Sequence, residues 1–163
     1  MRRLALMMCL AAGPCVVTTF LPTGVAMAKG KAAADVLKGR IILAQRPFPT
    51  RFKSEAEMAT FMKRTDMKGF KFGEGDKIPI EFMAFFAQPI AVTQLTGTVY
   101  DVTEGLEMKD TFPIYPGDRG TRVLASFMEL RRETFEVERR YKFVITTGFR
   151  GTVLAETDFA IKE

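Results

Sequence analysis

The stretch Ile78-Pro79-Ile80-Glu81-Phe82-Met83-Ala84-Phe85-Phe86 sets the fold class of this chain. At period two, Ile78, Ile80, Phe82, Ala84 and Phe86 fall on one face, and Pro79, Glu81, Met83 and Phe85 on the other. One face is wholly apolar and the other half apolar. That pattern predicts a strand well inside a sheet, with its second face partly covered.

The neighbouring segments read as strands beside or over it. Upstream, Gly39–Gln45 carries Ile41, Ile42, Leu43 and Ala44, and the prolines at 47 and 49 end it. Ser54–Arg64 is the one helix signal. Ser54 and Glu57 have capping-box spacing, and Met58, Phe61 and Met62 make an apolar stripe. The helix is expected to lie as a lid over an open edge or end of the sheet; a partner-docking stripe is the alternative. Residues 65–77, with three glycines, read as a loop under which Phe70 and Phe72 tuck. Downstream, Leu95–Val102 is a strand, and Leu106–Tyr115 an edge strand because of Pro113. Thr121–Leu130 is a further strand, with Leu124, Met128 and Leu130 on its apolar side. Arg140–Thr147 and Thr152–Lys162 form a hairpin about Gly148-Phe149-Arg150-Gly151. Tyr141, Phe143 and Ile145 share one face. Val153, Ala155, Phe159 and Ile161 share the returning face, with Thr157 among them. Short strands between turn signals, with one short helix after the first strand, predict a mainly β, antiparallel sandwich.

Phe135-x-Val137-x-x-x-Tyr141 has the spacing of a tyrosine corner, with Phe143 two positions on. In these residues the chain resembles the penultimate strand of immunoglobulin-like and fibronectin-type-III-like sandwiches. The resemblance covers about the last 30 residues and implies that the phenol bonds back to the corner's backbone. The helix at Ser54–Arg64 departs from that pattern. The whole chain is similar to small exported bacterial proteins, a likeness that implies nothing about mechanism.

Arg2-Arg3, the apolar run Leu4–Val17 and the Ala26-x-Ala28 spacing make residues 1–28 a secretory signal peptide, expected to be cleaved after Ala28. The apolar run is shorter than the ~20 residues of a membrane span, and Pro14 interrupts it. Both cysteines, Cys9 and Cys15, lie in this segment. Met8 and Pro14 just before them disfavour lipidation. Cleavage leaves 135 residues without cysteine, so the exported chain would form no disulfide. It also removes two basic and no acidic residues, lowering the net charge from +5 to +3. That excess implies neither a nucleic-acid nor a membrane partner. Residues 29–38 read as a flexible arm or one loose helical turn, and 39–163 as the β domain. No further segment is apolar and long enough to span a membrane.

The chain has no histidine. Ser-His-Asp and Cys-His triads and His-ligated metal or haem sites are therefore excluded. No Walker loop or dinucleotide fingerprint is present, and no cofactor is expected. Asp101, Glu104, Glu107 and Asp110 cluster around one turn. They read as a solvated turn, or else as calcium ligands or a carboxylate pair for hydrolysis. The densest basic stretch is Arg131, Arg132, Arg139, Arg140 and Lys142, threaded by Glu133, Glu136 and Glu138. It reads as an ion-paired hairpin face or as an anion-binding ridge. The resulting expectation is a non-enzymatic binding or structural module of the cell envelope, periplasmic or extracellular, facing an envelope protein or an anionic surface polymer. The alternative is a small secreted carboxylate-dependent hydrolase.

Overall fold

The structure is a computed structural model that describes residues 32–163. The expected signal peptide, its cleavage point and residues 29–31 lie outside the described residues.

The chain is mainly β. In order it forms α1 (Ala33–Val36), β1 (Arg40–Ala44), α2 (Glu55–Thr65), β2 (Gly69–Lys71) and β3 (Lys77–Phe85). There follow β4 (Leu95–Asp101), β5 (Glu107–Ile114), β6 (Val123–Arg131), β7 (Arg139–Thr146) and β8 (Val153–Lys162). All eight strands join one sheet in the order β5-β4-β7-β8-β1-β3-β6, with β2 also on β8. The sheet curls into a nearly closed, barrel-like wall. Phe82 on β3 meets Phe143 on β7 edge to face at 5.1 Å, across the interior rather than along the wall.

β3 lies between β1 and β6, paired antiparallel to both. Ile78, Ile80, Phe82, Ala84 and Phe86 all enter the interior core, as their alternation predicts. Met83 and Phe85, on its other face, join Ile42 in a second, outer core with Ala33, Leu37, Ala59 and Met62. The helix α2 therefore covers an outer face of β1 and β3, not an edge or end of the sheet. Its stripe is consumed there: Met62 is fully buried, and Met58 and Phe61 pack against the same cluster. Ser54 caps it, accepting from the Glu57 N–H at 3.1 Å, while the Glu57 carboxylate accepts from the Lys53 N–H at 2.7 Å. The described part of the expected arm is packed rather than loose. Ala33 and Leu37 are fully buried, and the Ala33 N–H donates to the Glu55 carboxylate at 2.8 Å.

Two further expectations are corrected. The sheet is not wholly antiparallel: β1 and β2 both run parallel to β8. The second of these falls in the expected loop, where Phe70 is buried in the core. Val153 is half exposed instead of interior, because an irregularity between Ile145 and Thr146 shifts the hairpin register before Val153. β5 is an edge strand, as Pro113 predicts. Gly97 on β4 is required there. A Cβ would lie 2.8 Å from the Phe112 ring and 2.9 Å from Ile114.

The tyrosine corner forms. The Tyr141 hydroxyl accepts from the Glu136 N–H at 2.8 Å and donates to the Glu136 carbonyl at 3.0 Å. Phe135 packs on the Tyr141 ring edge to face at 5.3 Å. Burial pushes the phenol up to about 12, against the opposing effect of the Glu136 backbone bond.

Candidate functional site

The five basic residues singled out in sequence do not form one ridge. They fall into three separate groups on the surface, Arg131 with Arg132, Arg139 alone, and Arg140 with Lys142. At the end of β6, Arg131 pairs with Glu129 at 3.1 Å and Glu133 at 3.7 Å. Arg132 pairs with Asp76 at 3.2 Å and lies 4.5 Å over the Phe72 ring. At the start of β7, Arg139 pairs with Glu104 at 3.1 Å and Glu136 at 3.3 Å. Glu104 first, then Glu136, hold its guanidinium more firmly protonated than usual. These three arginines are occupied, in the ion-paired manner. Glu138 does not neutralise them; its carboxylate accepts from the Glu163 N–H.

Arg140 and Lys142 are placed differently. Their strand alternates, so with Tyr141 and Phe143 inside they stand on the outer face. There they meet Arg40 and Lys68 in a groove of about 660 Å³ that runs along β8 past Glu156, Thr157 and Asp158. The groove exists because the sheet splits. β1 touches β8 only where Arg40 faces Glu156, and β2 joins it where Gly69 faces Ala160. Between them, Thr157–Phe159 have no strand on that side. Leu43 on the departing β1 turns to the connecting segment instead. Its N–H donates to the Asp66 carboxylate and its carbonyl accepts from the Met67 N–H at 2.9 Å. These two bonds satisfy the Leu43 main chain, which the split would otherwise leave open.

Asp66 is the buried anion of this opening, with 8% of its side chain exposed. It pairs with Lys68 at 3.0 Å and approaches Arg40 at 3.9 Å. Lys68 also donates to the hydroxyl of buried Thr157. Lys142 approaches Glu156 at 3.6 Å and Asp158 at 3.8 Å. Four cations thus face three carboxylates. Arg140 is exposed, and no carboxylate among the described residues lies within ion-pairing distance of it. Its main-chain N–H is satisfied by the Thr103 hydroxyl at 2.9 Å, and its carbonyl by the Val102 N–H at 2.9 Å. The guanidinium's donors therefore face solvent at the rim of the groove.

The carboxylate cluster is differently committed. Asp101 is buried and accepts from the Thr103 N–H at 2.8 Å. Burial raises its pKa, but the Thr103 bonds, Arg139 and Lys109 outweigh that and hold it below the usual carboxylate range. A general acid for hydrolysis needs the opposite shift. Glu104 is paired with Arg139, Glu107 with Lys109 at 3.0 Å, and Asp110 accepts from the Thr111 N–H at 2.8 Å. Among the described residues, no group of three or more His, Cys, Asp or Glu is arranged to hold a metal ion.

Sequence reasoning missed Arg40, Asp66 and Lys68, which are remote in the chain from Arg140. Thr157 carried a signal. It is the one hydroxyl in an otherwise apolar strand face, and it sits where the neighbouring strands part.

No protein-family model matches this chain, and no curated protein matches it. Among solved structures it is similar to a β-glucosidase from Listeria innocua in complex with glucose. That match has 14% identity and a TM-score of 0.36, covering 60% of this chain and 15% of that one. The same enzyme in complex with gluconolactone gives 13% identity and a TM-score of 0.36, covering 76% of this chain and 16% of that one. The chain spans under a fifth of the structures it matches, and likenesses of this degree carry no argument about function. No helix among the described residues is long and apolar enough to cross a membrane, which leaves strand-crossing proteins unaddressed.

Proposed function

We propose that this chain is an exported, non-enzymatic binding module of the cell envelope, released by cleavage after Ala28. Its ligand is an anionic envelope polymer, held in the groove between β7, β8 and the β1–β2 split. One observation carries the reading: the Arg140 guanidinium stands unpaired at the rim of a groove that also holds Lys142, Arg40 and Lys68. An unpaired exposed guanidinium offers a planar fork to phosphate or carboxylate without first breaking an internal ion pair. The finer reading of the fold as immunoglobulin-like is part of the proposal. It is supported by the Tyr141–Glu136 corner.

The test is retention on an immobilised polyphosphate matrix at low and at physiological salt. The wild type should be retained at low salt and elute early at physiological salt, since exposed charges are screened beyond about 8 Å there. Arg140→Ala/Lys142→Ala should lose most of the retention. Arg131→Ala/Arg132→Ala, whose side chains are already paired, should keep it. Equal elution of all three proteins would overturn the reading.

A further inference from the structure

The groove does not end at Lys142. Strand register sets Met108, Tyr100, Lys142 and Asp158 side by side in one row of the outer face, and Thr111, Thr98, Val144 and Glu156 in the next. Past Lys142, toward β4, β5 and the β7–β8 turn, the surface becomes apolar. A trough of about 490 Å³ lies there, walled by Tyr100, Leu106, Met108, Val144, Phe149 and Val153. Leu106 is 72% exposed and Phe149 65%, with Met108 and Val153 near half. Single exposed apolar side chains are ordinary. Here half of the large exposed ones among the described residues gather in one depression. Only Lys142 and Arg150 are charged among the residues lining the trough, and both are cations.

From this continuity and this charge we infer that groove and trough are one site for a single anionic amphiphile. Its hydrocarbon chain lies along the trough and its anionic head sits at Lys142 and Arg140. The inference rests on the preceding reading that these two cations receive an anion, and it adds that the anionic group of the envelope ligand carries a hydrocarbon chain. The occupant is a hydrocarbon chain rather than a peptide because of the floor. The floor strands are closed: β4 is paired on both sides by β5 and β7, and β7 by β4 and β8, so an occupant of the trough finds no main-chain partner beneath it. A hydrocarbon needs no hydrogen bonds. It is a chain rather than a bilayer surface because the patch is concave, with a volume in the range of small-molecule pockets.

The experiment is calorimetric titration of the purified mature protein with octyl, decyl and dodecyl phosphate, each below its micellar concentration. Inorganic phosphate and dodecyl maltoside are the controls for head alone and chain alone. Each added methylene should tighten the alkyl phosphates about two- to fourfold, the ratio for burying a CH₂ group at a partly open surface. Arg140→Ala/Lys142→Ala should weaken dodecyl phosphate about tenfold or more and leave the maltoside unchanged. Leu106→Ser/Met108→Ser, both at exposed positions, should erase the chain-length dependence while retention on polyphosphate persists. Wild-type affinity independent of chain length, with polyphosphate retention intact, would overturn this inference and leave the anionic groove standing. Loss of both would remove the two together. Binding to phosphatidylglycerol vesicles without binding to monomeric alkyl phosphate would also overturn it, assigning the trough to a membrane surface.

Discussion

Replacing Tyr141 with phenylalanine deletes one oxygen that serves two backbone groups, and the structure sets the size of the loss. The hydroxyl accepts from the Glu136 N–H and donates to the Glu136 carbonyl, at 2.8 and 3.0 Å. Each bond contributes about 1 kcal/mol net. The pair is only partly buried, so water recovers some of that, and Tyr141→Phe should cost about 1–2 kcal/mol. The ring stays, and with it the edge-to-face contact with Phe135 and the stacking on Phe159. For a domain of this size the melting temperature should fall by about 4–8 °C. In urea the midpoint should drop without a change in slope, since the exposed surface is unaltered. A second arm separates the hydroxyl from packing. Burial raises the folded phenol from 10.0 to about 12. The protonated phenol therefore contributes stability that is complete below pH 10 and is lost as pH rises through 12. The variant has no phenol to ionise, so its deficit against wild type should close across that window. A midpoint within about 0.3 kcal/mol of wild type, or parallel pH curves, would refute the corner as a stabilising contact.

Three other outcomes follow from the same packing, and a fourth from the Ala26-x-Ala28 spacing. Phe82→Ala, fully buried against Phe143, should cost about 3–5 kcal/mol in denaturant midpoint. Gly97→Ala should cost about 1–3 kcal/mol because its Cβ would collide with Phe112 and Ile114. Ser54→Ala should remove the α2 cap and cost about 1 kcal/mol, while calorimetry shows a single transition. Intact-mass analysis of exported material should show a chain beginning at Lys29.

Much of the fold was legible because the signals were local. The alternation in β3 places five interior residues correctly. Pro113 marks β5 as an edge, and the Phe135–Tyr141 spacing anticipates a bond that forms. What sequence did not disclose depends on strand order. β2 is three residues long, too short for a periodic signal, and is a strand only because β8 lies beside it. The burial of Ala33 and Leu37 depends on α2 lying over the outer face of β1 and β3. The register shift that exposes Val153 is a property of the β7–β8 pair, not of either strand alone. The candidate site was legible in part. The basic stretch includes Arg140 and Lys142, but charge density along the chain could not separate them from Arg131, Arg132 and Arg139. Their acidic partners arrive from other segments. Arg40 and Lys68 reach the groove only through the parting of β1 and β2 on β8.

The measurement closest to the central claim is nuclear magnetic resonance mapping of the isotope-labelled mature protein titrated with polyphosphate. Shifts should concentrate at Arg40, Lys68, Arg140, Lys142 and Asp158 and diminish with added salt, while Arg131, Arg132 and Arg139 stay in place. Shifts centred on those three arginines, or an unchanged spectrum at low salt, would contradict it.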